Sequence, residues 1–455
     1  VSAAALIERV AIELSLFAAA GFLLCAIDDL LLDLLYVARR GWRALTVYRR
    51  HAPADAAMLT GADEGLMVVF IPAWDEAAVI GDMLRATLRR FDHSDYTLLV
   101  GHYRNDPATA AAIAEVSDPR VVAVDIGVDG PTTKADCLNR LYDALVRLET
   151  AQGRRAAAVV LHDAEDLVHP QELKLFARLI GRAGVIQLPV VPLVDPASPW
   201  IGGHYCDEFA ESHGKELVVR EAVGAAIPLA GVGCALERGA LGRLATREDG
   251  RPFAGGSMTE DYEMGLRLGA LGERTMFVRL PLVHGQPGVI ASRGHFPATL
   301  DAAIRQKARW LGGIAFSGWD RLGWGRGWGE WWFRMRDRRG PLAALLLLAG
   351  YVAALLWAQL LVAQWLGAPA PTPIPPVLDW LLRLTALLLT WRVIMRGLFT
   401  ASAYGLAEGL MSVPRMVVGN MIAILAARRA LAIHLKGGPK QWDKTAHIFP
   451  AETAR

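Results

Sequence analysis

Apolar positions follow two regimes along this chain: long apolar runs near the ends, and short runs alternating with helix-period segments between them. The run from Leu16 to Ala38 is long enough to cross a bilayer, but Asp28, Asp29 and Asp33 interrupt it. A carboxylate in lipid is costly unless neutral or paired. Two readings therefore fit, a span whose acids face the inside of a helix bundle or a buried helix beside others. Leu342 to Leu366 carries no formal charge and is the strongest membrane signal. The Pro- and Ala-rich stretch from Gly367 to Pro376 reads as a short outside turn. A third run, Leu378 to Phe399, contains Arg383, Arg392 and Arg396, which are expected to snorkel or face protein.

The region 66–341 reads as α/β. Leu66 to Ile71, Tyr96 to Val100, Val121 to Asp125 and Ala156 to Leu161 are strand-like, and helical patterns over 76–90, 108–115 and 135–148 separate them. That alternation predicts a mostly parallel sheet covered on both faces. Ligands of such sheets collect at the carboxyl ends of the strands, where Trp74-Asp75-Glu76, Asn105-Asp106 and the acids of 163–166 fall. Neither a G-x-G-x-x-G turn nor a G-x-x-x-x-G-K-[ST] loop is present, which disfavours a dinucleotide oxidoreductase and a P-loop ATPase.

Composition sharpens this picture. Hydrophobic content of 53% against 21% charged residues suits a chain with membrane-embedded ends. Arg39, Arg40, Arg43, Arg49 and Arg50 follow the first run, and Arg334, Arg336, Arg338 and Arg339 precede the second. Both clusters place 40–340 in the cytoplasm, and three crossings return the basic C-terminal stretch to the same side. The first run lacks a basic start and a small-residue cleavage site, so it reads as an anchor rather than a removable signal. A net charge of +2 makes no case for nucleic acid, while the basic clusters suit anionic lipid. Cys25, Cys137, Cys206 and Cys234 read as free thiols, and the histidines lack zinc spacing.

Three acidic or basic stretches carry candidate chemistry. His162-Asp163-Ala164-Glu165-Asp166 closes the fourth strand; Asp163 and Glu165, with Asp166 as a further possibility, can approach a divalent cation, or the acids can simply occupy a helix N-terminus. Thr259-Glu260-Asp261 follows the glycine-rich 254–257; Thr259 can cap a helix, or a carboxylate there can serve as a general base. Gln306, Arg309 and Trp310 share a helical stretch, offering a guanidinium to phosphate and an indole face to a sugar. The alternative is an interfacial helix, and Trp319, Trp324, Trp328, Trp331 and Trp332 with interleaved arginines extend that reading.

Together these motifs resemble an inverting, processive-type family 2 glycosyltransferase, over about residues 66–341 and into the flanking spans. The resemblance implies a Rossmann-like nucleotide-sugar transferase domain of GT-A type with flanking transmembrane and interfacial helices. On the donor side it implies Pro72, Ala73 and Glu76 of the first-strand motif, Asp106 against the nucleobase, Lys134 of Lys134-Ala135-Asp136-Cys137-Leu138-Asn139, and Asp163. Asp136 departs from the glycine usual in that motif. Asp163 and Glu165 match a metal-binding D-x-D pair for Mg2+ or Mn2+, with glutamate in the second place. Gly233, Cys234, Glu260 and Trp310 fall on the acceptor side; Asp261 matches the T-E-D base, and Gln306, Arg309 and Trp310 match Q-x-x-R-W.

A closer resemblance is to the bacteriophage adsorption protein B family, on His162 to Pro170 and the tail Trp442 to Pro450. It implies transfer from a nucleoside-diphosphate sugar to a growing exopolysaccharide or glycan acceptor at the bacterial inner membrane. It also implies possible cyclic-di-GMP regulation through a module after the tail; this sequence stops at Arg455, so the chain either lacks that module or is a piece of a longer protein. Three crossings are few for a self-contained polysaccharide channel, so an outer-membrane or periplasmic export partner is expected. The competing reading is a catalytically degenerate nucleotide-sugar-binding subunit of an assembly complex. The expected organisation is an anchor and basic flank (1–50), the transferase domain (51–300), Q-x-x-R-W and interfacial helices (301–341), two spans (342–400), and cytoplasmic membrane-proximal helices with the tail (401–455).

Overall fold

A computed structural model describes residues 3–61, 65–436 and 449–450. The tail motif lies outside the described residues apart from Phe449, which packs on the main core, and Pro450. The strands are β1 (Met67–Pro72), β2 (Tyr96–His102), β3 (Val121–Asp125), β4 (Ala158–Leu161), β5 (Val185–Gln187), β6 (Val190–Pro192), β7 (Cys234–Glu237), β8 (Thr275–Phe277) and β9 (Ser292–Gly294). Seven form one sheet in the order β3-β2-β1-β4-β7-β5-β8, and β6 pairs with β9 apart from it. β1 to β4 are parallel, while β7 runs antiparallel to both its neighbours. The order reverses between β1 and β4, so a crevice opens at their carboxyl ends.

The helices of the α/β domain are α2 (Ile80–Arg90), α3 (Pro107–Ala114), α4 (Lys134–Gln152), α5 (Glu172–Leu179), α6 (Ile201–Glu211), α7 (Leu217–Ala222), α8 (Arg238–Arg247) and α9 (Glu260–Ala270). Every residue of β1 is buried because helices cover both sheet faces. Met67, Val69 and Ile71 join the core shared with α2 and α5, while Val68 and Phe70 join the core of α4, α8 and α9. α2 begins at Ile80, four residues later than the pattern predicts. The reason is local: Asp75 has φ +54°, and the N–H groups of Asp75 and Glu76 donate to Asp106 and Thr109 instead of entering a helix.

Beyond β9 come α10 (Leu300–Leu311), a π-helical segment Gly312–Ser317, α11 (Gly318–Leu322) and α12 (Trp328–Arg338). The long helices are α1 (Ala3–Leu45), α13 (Gly340–Trp365), α14 (Pro376–Tyr404) and α15 (Leu406–Lys436). Among described residues three helices are long and apolar enough to cross a membrane: Ala4–Leu45, Gly340–Trp365 and Leu406–Lys436. The count agrees with expectation, but the third is α15 rather than the arginine-bearing α14.

Thr372 meets Glu8, Trp357 meets Ser15, and Leu346 packs over Gly21, so α1 and α13 run antiparallel. The acids of α1 face protein, as the bundle reading requires. Asp28 accepts from Trp332 (2.6 Å) and Arg339 (2.7 Å), Asp29 from Arg336 (3.0 Å) and Arg339 (2.6 Å), and Asp33 from Lys215 and Trp391. α15 touches the α/β domain near both ends: Arg415 lies 3.0 Å from Asp207 of α6, and His434 stacks on Phe316. About 28 Å of helix separates those contacts.

Candidate active site

The loop after β4 is built around a buried histidine. His162 Nδ1–H donates to Asp166 (2.9 Å) and Nε2–H to Glu172 (2.5 Å). Burial opposes the imidazolium, but the two carboxylates outweigh it and raise the pKa to about 10. Asp166 also accepts the N–H of Asp163 (3.0 Å). Both hydrogen bonds fall on Oδ2, so one oxygen of Asp166 shapes the turn that presents Asp163. Glu165 lies half-buried two residues beyond Asp163.

Thr133 accepts the N–H of Asp136 and caps α4, which places Lys134 in its first turn. The Lys134 ammonium lies 2.5 Å from Asp163 Oδ1. Burial favours its neutral form, but Asp163, Glu260 and Asp261 outweigh that and hold it charged, with the pKa raised. Asp136 pairs with Arg140 at 3.2 Å, so the acid in the usual glycine position is turned along its own helix.

Glu260 and Asp261 open α9. Thr259 occupies the N-cap position, yet its side chain accepts no helix N–H, and its buried Oγ1 has no hydrogen-bond partner. Simple capping therefore does not account for the motif. Gly231, at φ +81°, lets Asp261 approach: a Cβ there would collide with Asp261 Oδ2 and lie 3.4 Å from Lys134 Nζ. Gly233, at φ +56°, lies against Ser292, and the buried Cys234 starts β7 beneath the same site. Burial raises the Cys234 thiol, and Asp261 adds to the rise, so it stays protonated.

Burial raises Glu260 to about 7, with Asp261 adding to the rise and Lys134 and Arg309 opposing it. Asp261 is raised by burial as well. Asp163, Glu260 and Asp261 thus gather three carboxylates around Lys134 with Arg309 beside them, an arrangement whose charge fits a further cation. Among described residues no group of three His, Cys, Asp or Glu forms a protein-only metal cage.

The structure divides the Q-x-x-R-W residues. Arg309 is half-buried and acts electrostatically on Glu260 and Asp261. Trp310 meets Tyr205 edge-on at 6.2 Å and lines a cavity of about 340 Å3 with Phe209, Glu208, Glu211, Arg392 and Arg396. The Gln306 side-chain oxygen is buried without a hydrogen-bond partner.

At the carboxyl end of β1, Pro72 closes the strand and Ala73 continues its backbone pairing to Gly101. Trp74 packs edge-on to Tyr103 at 5.2 Å, and a Cβ on Gly130 would strike both rings. Asp106 is buried, and its oxygens accept from the N–H groups of Asp75 (2.6 Å) and Thr109 (3.2 Å). With Glu76, also buried, it holds the Trp74–Asp75 loop from behind and does not face the crevice openly. The sequence reading missed Gly231 and the Tyr103–Gly130 contact. The Gly231-Val232-Gly233 pair before β7 was the available signal.

A family model described as glycosyl transferase family group 2 matches residues 158–399. Bacteriophage adsorption protein B of Escherichia coli K12 is 37% identical over 454 residues, which cover 94% of this chain and 60% of that protein. Bacteriophage N4 adsorption protein B of Escherichia coli O157:H7 matches with the same identity and coverage. The chain therefore spans about 60% of the length of these curated relatives. The solved mannosyltransferase PcManGT from Pyrobaculum calidifontis, in complex with GDP-Man and Mn2+, aligns with a TM-score of 0.52 at 17% identity. The alignment covers 93% of this chain and 99% of that one, and at this identity the likeness is one of fold, the GT-A transferase fold. With more than half of its length matched by the family model, this chain belongs to glycosyl transferase family group 2.

Proposed function

We propose that the chain catalyses inverting transfer of a sugar from a nucleoside-diphosphate sugar to a glycan acceptor at the cytoplasmic face of a bacterial inner membrane, in exopolysaccharide synthesis. The observation that carries this reading is the meeting of Asp163, Lys134 and Asp261 at the crevice between β1 and β4, with Arg309 as their neighbour in charge.

In this reading the donor base enters beside Trp74, and Asp163 and Glu165 face the diphosphate. They would hold Mg2+ or Mn2+ there, and that ion neutralises diphosphate charge when bound. Asp261 takes the proton of the acceptor hydroxyl as its oxygen bonds to the anomeric carbon. The bond from that carbon to the diphosphate oxygen breaks on the opposite face, and the electron pair leaves with the nucleoside diphosphate. Lys134 and Arg309 stabilise the departing charge. Trp310 offers a face to the acceptor, and the cavity beyond it leads toward α14.

Contacts as well as hydropathy support a membrane placement. We assign crossings to α1, α13 and the first part of α14, with the acids of α1 at the inner boundary. α15 is long enough to span, but its contacts with Asp207 and Phe316 support a position along the domain surface. The test is a panel of nucleoside-diphosphate sugars offered to the protein in lipid vesicles with Mg2+ or Mn2+ and a glycan primer. Transfer with release of nucleoside diphosphate is expected. Binding without turnover by intact protein identifies a nucleotide-sugar-binding subunit instead.

A further inference from the structure

The loop leading into the base turn is held by an arginine from the interfacial segment. Arg321 of α11 directs its fork at Glu263, with Nε 2.9 Å from Oε1 and 3.2 Å from Oε2. The same guanidinium reaches Ser257 Oγ (3.3 Å) and the carbonyl of Gly256 (3.3 Å). Ser257 Oγ–H donates to Glu263 (2.5 Å) and accepts the N–H of Thr259 (3.1 Å). Arg321, Ser257 and Glu263 thus form one network across the chain from Gly256 to the first turn of α9, and Asp261 lies within it. The opposite edge of the loop is tied to α4, where Thr133 donates to the Gly255 carbonyl (3.4 Å).

This differs from a surface ion pair, because Glu263 is only 1% exposed and needs a charged partner where it sits. α11 itself is fixed by aromatic packing. Trp319 meets Trp324 edge-on at 4.8 Å, and Arg338 lies 5.0 Å from both rings. Trp319, Trp328 and Trp331 remain about half exposed, as expected for rings at a lipid headgroup surface. From the other side the π-helical segment closes on the turn, with Gly313 directly against Thr259.

We infer that Arg321 is a positioning residue for Asp261, joining the lipid-facing α11 to the turn that carries the base. It touches neither donor nor acceptor. Its loss leaves the nucleotide crevice intact and lets the Ser257–Asp261 turn drift, which lowers turnover without changing donor affinity. The inference rests on the transferase reading for its kinetic consequence, but its structural content stands apart.

Two measurements on the full chain test it. In vesicles, Arg321→Gln lowers kcat at least 10-fold with the donor KM within twofold of wild type. Arg321→Lys recovers part of that loss, and Glu263→Gln combined with Arg321→Gln costs no more than either alone. In detergent without donor, Arg321→Gln speeds hydrogen exchange at residues 256–263 at least 10-fold while β1 and β4 keep their protection. Unchanged exchange there overturns the inference, as does a loss confined to donor KM. If no nucleotide sugar is turned over by wild-type protein, the transferase reading fails on its own, and exchange still decides the role of Arg321.

Discussion

Lys134 Nζ stands 2.5 Å from Asp163 Oδ1, joining the first turn of α4 to the end of β4 across the crevice where the sheet order reverses. The ammonium also balances Glu260 and Asp261. Lys134→Met leaves those carboxylates short of positive charge. It is expected to lower transfer at least 100-fold and destabilise the fold by about 2 kcal/mol. Adding Asp163→Asn should restore most of the stability in thermal unfolding and none of the transfer.

Gly231 gives a second test, because the space it leaves is occupied by the Asp261 carboxylate. Gly231→Ala combines a collision with a left-handed backbone, a strain of about 1–2 kcal/mol. The folded protein should retain donor binding in calorimetry and lose at least 100-fold in kcat. A donor affinity that falls with kcat would place Gly231 in the nucleotide site instead.

The junction of α1 with the α/β domain is held by Lys215, whose ammonium pairs with Asp33 of α1 and Glu211 of α6, all three at most 2% exposed. Lys215→Met leaves Glu211 with Arg392 but leaves the buried Asp33 with only the neutral Trp391 indole among the described partners, and removal of such a charged partner costs about 3–5 kcal/mol. The double variant Lys215→Met, Asp33→Asn should recover most of that loss in denaturant titrations of detergent-solubilised protein.

His213 sets a pH response. Its Nδ1 accepts the N–H of Val190 at 2.9 Å, and burial, aided by Arg279, lowers its pKa from the ordinary 6.5 to about 3. As pH falls below 6.5 the unfolded chain takes up a proton that the folded chain refuses. Stability from this group is therefore complete above pH 6.5 and declines toward pH 3, by up to about 1.4 kcal/mol per pH unit. His213→Gln should flatten that part of the thermal stability profile.

Much of this architecture was legible in the sequence, for identifiable reasons. The four parallel strands could be read because strands buried on both faces are continuous apolar runs, as in Met67 to Ile71. Asp163, Asp261 and Arg309 could be found because their types and order follow a transferase pattern. The turn-shaping hydrogen bonds of Asp166 could not, since they depend on a loop closing around His162, whose other ring nitrogen meets Glu172. The late start of α2 likewise depends on Asp106 and Thr109, more than thirty residues away in the chain. The sequence reads 378–399 as a span and 401–455 as membrane-proximal helices, although α15 rather than α14 is among the three described helices long and apolar enough to cross a membrane. The contacts of Arg415 and His434, with Ile422, Ala426 and Ala430 packed against α6 and α10 between them, give α15 a surface to lie on.

The central claim is that Asp261 is the base of a sugar transfer. Its most direct test compares wild type with Asp261→Asn in lipid vesicles, using the donor identified by the nucleotide-sugar panel and measuring product mass and donor affinity together. The account predicts donor affinity within about twofold and transfer reduced on the order of 1,000-fold. Wild-type transfer by Asp261→Asn, with donor bound normally, would contradict it.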